Sequence, residues 1–192
     1  MADTAKKVAR AGNPKKILLG YGLFYIDDTF VGLTRGGGQF TVEREYRKIT
    51  ADGDRGGYKG RITHEGSVPK LKINLLEVIN NIERSYPAVK EETEAVTNSE
   101  TDQTASITKV RGLWSIDEET DYHTVKWVGK TKNGKEAVIK VENAINLDNI
   151  DFSLVEKDEV VPAVTFEGTY TDDCAEDYEP WEVTWINEET TN

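Results

Sequence analysis

Thr124–Val141, TVKWVGKTKNGKEAVIKV, is the stretch on which the fold turns. With His123 ahead of it, Val125 and Trp127 fall at strand spacing, and Asn133-Gly134 separates the run Val125–Lys130 from the run Ala137–Val141. Successive strand residues point to opposite faces, and an Asn-Gly pair accepts the positive φ of a tight reversal, so the segment predicts an antiparallel hairpin. Working outward, Leu113-Trp114, Ile150–Val155, Val160–Tyr170 (Val164, Phe166, Gly168, Tyr170) and Trp181–Ile186 (Trp181, Val183, Trp185) repeat the β pattern. Upstream, Gly20–Asp27 and Thr29–Thr34 form a short β pair joined by an Asp turn. The expected fold is mainly β, a twisted sandwich or small barrel of about eight to ten strands with one helix against it.

That helix is expected over 75–86, where Leu75, Val78, Ile79, Ile82 and Tyr86 follow helical spacing until Pro87. Leu71, Ile73 and Leu75 lead into it as a half-buried strand after Pro69. Residues 88–106 are polar, acidic and rich in Thr, and read as a surface loop or insertion. Residues 1–16 read as a flexible N-terminal arm and 17–192 as one domain. Between them and the helix lies Val42–Gly66, VEREYRKITADGDRGGYKGRITHEG, which alternates around a Gly-rich turn with no face apolar enough to bury. It predicts a protruding hairpin over 42–66. The preceding Gly36, Gly37 and Gly38 read as a hinge that breaks the chain.

Charge is segregated along the chain. The total is −11, yet Lys6, Lys7, Arg10, Lys15 and Lys16 face only Asp3 in the first 22 residues. Arg35–Arg61 holds seven basic and four acidic residues, and no Lys or Arg follows Lys157. Two readings stand: solvated faces, or head-to-tail association of a basic patch on one copy with an acidic patch on the next. The overall acidity argues against a duplex DNA binder, because phosphates are repelled.

The chemistry is largely one of exclusion. His64 and His123 lie in no metal-binding spacing, and Cys174 has no Cys or His neighbour. The triple glycine is followed by no Gly-Lys-Ser or Gly-Lys-Thr and opens no helix, so it makes no phosphate cradle. Asp52, Asp54 and the cluster Asp172, Asp173, Glu176, Asp177 and Glu179 fail the EF-hand pattern. Trp114, Trp127, Trp181 and Trp185 sit in strand runs, where core packing is expected and a sugar platform is the alternative. No catalytic set emerges from spacing, and no cofactor is expected. No apolar run is long enough for a membrane helix or a secretory signal, which points to a cytoplasm-like compartment.

The order of pieces resembles a known family. The opening β pair, the long charged hairpin, the strand and helix of PKLKINLLEVINNIERSYP (Pro69–Pro87) and the closing block Thr124–Asp173 are similar to the major tail tube proteins of long-tailed, siphovirus-type phages. Gly129-Lys130 with Gly134-Lys135, Glu142-Asn143-Ala144, and Val164, Phe166, Gly168 and Tyr170 carry the resemblance, which spans most of residues 17–186. It implies a non-enzymatic virion protein that forms hexameric rings stacked into a tube. It also implies an acidic channel for DNA in transit without specific binding, and tape measure and tail-end proteins as further partners. It places the chain in the virion tail, assembled in the host cytoplasm. In such an assembly Arg44, Arg47, Lys48, Arg55, Lys59 and Arg61 would contact an acidic surface at Asp172, Asp173, Glu176, Asp177 and Glu179 of another copy. A carbohydrate-binding β-sandwich module is the alternative; a glycosidase using two of the carboxylates is a third reading.

Overall fold

The computed structural model describes residues 13–97, 104–172, 174–175 and 178–186. Among these the strands are β1 (Leu18–Ile26), β2 (Thr29–Phe30), β3 (Thr34–Lys48), β4 (Ile62–Leu75), β5 (Val89–Thr97), β6 (Thr104–Gly112), β7 (His123–Thr131), β8 (Glu136–Asn146), β9 (Ala163–Gly168) and β10 (Trp181–Trp185). The chain is mainly β, and its paired strands run antiparallel.

The β7–β8 hairpin sits at the centre of an eight-stranded sheet of order β2-β1-β7-β8-β9-β4-β3, with β10 also paired to β8. Its turn closes as expected: Gly134 takes φ +81 and the Thr131 amide donates to the Lys135 carbonyl at 2.8 Å. On the inner face Phe24, Trp127 and Ile139 lie in one row across three strands, and Ile26, Val125 and Val141 in the next. The two Asp residues of the β1–β2 turn both take positive φ, the left-handed pair that a two-residue hairpin requires.

β8 has a divided edge. Its first half, Ala137–Val141, pairs β10, and its last residues, Ala144–Asn146, pair β9. The sheet curls so that its two ends face each other across the core: Phe24 of β1 lies against Gly38 of β3, and Phe40 of β3 meets Trp181 of β10 at 5.7 Å between ring centres. Leu71, Ile73, Leu75, Val125, Val141, Val164 and Phe166 are buried between these layers. Burial of each such side chain contributes about 1.5–3 kcal/mol.

A polar cluster latches β10 onto β8. Lys140 Nζ lies 2.7 Å from Glu142 and 3.2 Å from Glu182, and the Tyr178 hydroxyl donates to Glu142. The Lys140 hydrogen bond, with that of Tyr178, holds the Glu142 carboxyl below the usual carboxylate range, while burial and Glu142 push Tyr178 up to about 12. A carboxyl with a depressed folded pKa stabilises the fold above its unfolded value, near about 4.3, and loses that contribution as pH falls through the folded value. Glu142→Gln is therefore expected to flatten the fall of unfolding free energy from neutral pH to below about 4, measured by urea titration at each pH.

Several expectations change. The helix expected over 75–86 shortens to α1 (Ile82–Ser85) behind a 3₁₀ turn at Ile79–Asn81, and Leu75 ends β4. The helical spacing was real, since Leu75 and Tyr86 are buried and Val78 and Ile82 pack on the core, but Ile79 is exposed. The Asn81 side-chain amide (Nδ2) also donates to the carbonyls of Val31 and Glu77, both at 2.7 Å, fixing an irregular turn instead of a continuous helix. Of the surface loop expected over 88–106, the described residues from 89 on are strand: β5 pairs β6 from Val89↔Gly112 to Thr97↔Thr104 as a separate two-stranded sheet, and residues 98–103 lie outside the described residues. Thr side chains favour a pleated surface, which fits strands better than a loop. Ile150–Val155 forms no strand; the chain there runs as loop and turn. Of the expected N-terminal arm, Pro14–Lys16 forms a 3₁₀ turn capped by the Asn13 side chain, and residues 1–12 lie outside the described residues.

The triple glycine is not a hinge. Gly36, Gly37 and Gly38 lie inside β3, where the pairing with β4 shifts register between Thr34 and Gly38. Gly36 and Gly37 take positive φ, and Gly38 lets the Lys72 carbonyl and the Phe24 ring approach closely.

Candidate self-association surface

The arm expected over 42–66 exists and is longer than that. β3 and β4 pair from Phe40↔Leu71 out to Lys48↔Ile62, with a bulge between Glu45 and Tyr46, and Ile49–Arg61 close the tip. Glu43–Lys48 are all exposed. Such a ladder without a buried face is held by backbone pairing and side-chain couples alone.

Those couples consume half of the basic residues assigned to intermolecular contact. Arg47 pairs across the ladder with Glu65. Arg61 donates to Asp54 at 2.9 Å and lies over the Tyr58 ring, while Asp54 also accepts from the Ala51 amide at 2.6 Å. Asp54 is thus a turn cap. Arg44 lies 3.6 Å from Glu179 and over the Trp181 ring, and His64 lies 3.8 Å from the same carboxylate. Trp181 Nε1 also donates to Glu179. The charge couple expected between copies is, for Arg44 and Glu179, made within one chain. The reason is topological: β10 on β8 and β9 on β4 bring residue 179 to the base of the arm. Arg35 repeats the pattern with Asp158 at 3.1 Å and Glu159 at 2.6 Å.

Lys48, Arg55 and Lys59 make no ion pair among the described residues. They share the distal arm with exposed Tyr46, Ile49, Tyr58 and Ile62. Aromatic side chains and Arg are enriched at protein interfaces whereas Lys is depleted, so Tyr46, Tyr58 and Arg55 fit an interface core and the two lysines a polar rim. Of the acidic set, Asp172 is exposed, Glu179 is engaged as above, and Asp173, Glu176 and Asp177 lie outside the described residues.

The sheet also ends in unpaired edges. β3 pairs only β4, and β1 pairs β2 at Tyr25 and Ile26 with the Val31 amide donating to the Phe24 carbonyl at 3.0 Å, so Leu18–Leu23 have no strand partner on that side among the described residues. Outward on β1 and β2, Tyr21, Leu23 and Phe30 are exposed. Open edges beside apolar side chains invite another strand.

The tryptophans divide. Trp127 is buried against Gly22 and Gly129, and Trp181 packs on the core. Trp185 is 56% exposed and Trp114 fully so, against the expectation of core packing. Trp114 lies outside any strand, in the loop after β6, and strand-like spacing alone could not show that. Among the described residues no group of three His, Cys, Asp and Glu side chains is placed to hold a metal ion. His123 is instead tied to Asp27 at 2.5 Å, and His64 stacks near Tyr46. Among the described residues no helix is long and apolar enough to cross a membrane. Compared with protein-family models and with curated proteins, the chain matches none.

Proposed function

We propose that this chain is a structural protein of the tail-tube type, which assembles with copies of itself into hexameric rings that stack into a tube. The observation that carries the reading is a sheet that, among the described residues, ends in two unpaired edges while extending a polar arm away from its core. A ring of identical subunits pairs such edges without open-ended aggregation, and an arm with no core of its own gains its enclosure from a neighbour. The net charge of −11 fits a channel along which DNA slides, since phosphates would not adhere to it. Tape measure and tail-end proteins are the further partners under this reading, and the virion tail is its location. It assigns no catalytic residue.

Negative-stain microscopy of concentrated protein is the direct check. Rings or tubes of uniform diameter are expected; a monodisperse monomer at every concentration would remove the reading. Trp114 specifically favours one second reading, a carbohydrate-binding module, because a fully exposed indole is a ready saccharide platform. Under that reading the monomer binds saccharide and Trp114→Ala abolishes binding in titration calorimetry.

A further inference from the structure

The body carries an apolar knob and an apolar hole at opposite ends. The knob is the loop Leu113-Trp114-Ser115-Ile116, whose three apolar side chains are exposed at 53%, 102% and 49%. It is not a loose strand end. The Leu113 amide donates to the Ala88 carbonyl at 2.6 Å, and the Asp121 carboxylate accepts from the amides of Ala88 at 3.1 Å and Asp117 at 2.8 Å. A large indole held in water by a pinned loop gains burial only from something outside its own chain.

The hole is a cavity of about 590 Å³ lined by Leu18, Ala137, Val183, Trp185 and Ile186, with the β7–β8 turn forming one wall. Its volume lies within the range of about 300–1,000 Å³ of ordinary binding pockets. Trp185, Ile186 and Leu18 are each about half exposed there, so the cavity removes little apolar surface from water as it stands.

Charge matches knob to hole. Asp117, Glu118 and Glu119 follow the knob directly. Lys16 lines the hole, and Lys132 and Lys135 lie on its wall turn; none of the three makes an ion pair among the described residues. Position excludes contact within one chain. The knob is anchored at Asp121, beside the start of β7 at His123, whereas the hole lies at Thr131, where β7 ends. Eight strand steps separate the two, about 26 Å at ~3.3 Å per residue.

We propose that Trp114 of one copy inserts into the Trp185 hole of a second copy, with Asp117–Glu119 seated against Lys16, Lys132 and Lys135. The contact is heterologous, so each copy offers a free knob and a free hole, and association continues head to tail. This deepens the self-assembly reading by naming a contact apart from the β3–β4 arm.

The test uses full-length chains in a Cys174→Ser background. One chain carries Ser115→Cys, which keeps Trp114, and the other Asn133→Cys at the wall of the hole. Mixed under mild oxidation, they are expected to form a disulfide between the two chains. Trp114→Ala should lower its yield at least about tenfold, as a central interface aromatic does. Lys16→Glu with Lys132→Glu and Lys135→Glu should also lower it, and Asp117→Lys with Glu118→Lys and Glu119→Lys in the other chain should restore it. A yield indifferent to Trp114→Ala overturns the inference, as does Asn133→Cys bonding instead to Ala5→Cys, which would make residues 1–12 the occupant. Rings that form without the Ser115–Asn133 disulfide sink the knob and leave the self-assembly reading standing. The disulfide without rings or tubes does the reverse, and absence of both removes both.

Discussion

Gly38→Ala is expected to destabilise the fold by about 3 kcal/mol, the upper end of the ordinary cost of overpacking. A Cβ at Gly38 would lie 2.2 Å from the Lys72 carbonyl oxygen and 2.7 Å from the Phe24 ring. The first neighbour is backbone of the adjacent strand and has nowhere to move without breaking the β3–β4 ladder at its root. For a chain of this size each kcal/mol corresponds to about 2–4 °C in Tm, so a fall of about 10 °C is expected in thermal unfolding. Gly37→Ala is the control. Gly37 has open space around it and φ +71, so its cost is the left-handed backbone alone, about 1–2 kcal/mol. The order of the two variants separates close packing from a hinge: if Gly37→Ala is the more damaging, or Gly38→Ala costs nothing measurable, the packing account fails.

Lys48→Glu with Arg55→Glu and Lys59→Glu is expected to stop assembly while leaving a folded monomer. These three cations make no ion pair among the described residues, so their reversal removes no contact inside the chain. If each contributes about 1 kcal/mol to an intermolecular contact, their loss weakens association at least about a hundredfold. Sedimentation velocity with circular dichroism measures both halves of the prediction. Tubes of normal length, or loss of the β spectrum, would count against it. Reversing Arg44, Arg47 and Arg61 tests something else. Their partners Glu179, Glu65 and Asp54 belong to the same chain, so that variant loosens the arm itself. Raising salt should weaken wild-type assembly too, since the Debye length shrinks from about 10 Å at 0.1 M to about 3 Å at 1 M.

The acidic C-terminal stretch shows the limit of charge reading. Sequence separation made Arg44 and Glu179 look like partners on different molecules, because they lie far apart along one chain. β10 docking beside the arm brings them to 3.6 Å within it. Charge segregation in a sequence thus names groups that attract, and the topology decides whether they meet inside the chain or between chains.

What the sequence determined by itself is local. Period-two alternation and turn chemistry set the β7–β8 hairpin, the Asp27-Asp28 turn, the β3–β4 arm and most of the core face, because strand periodicity and positive-φ turns are written in nearest neighbours. Only the tertiary structure decided the rest. It confined the apparent helix to one turn because Asn81, bonded to Val31, holds the segment ahead of it in a 3₁₀ turn, made strands of Val89–Thr97 and Thr104–Gly112 because each supplies the other's ladder, and placed glycine at 38 because a carbonyl from β4 occupies the side-chain position. It also separated four similar tryptophans into two that pack on the core and two that reach solvent. Strand spacing fixes which way a side chain points from its own strand, and what lies opposite depends on how the sheet curls.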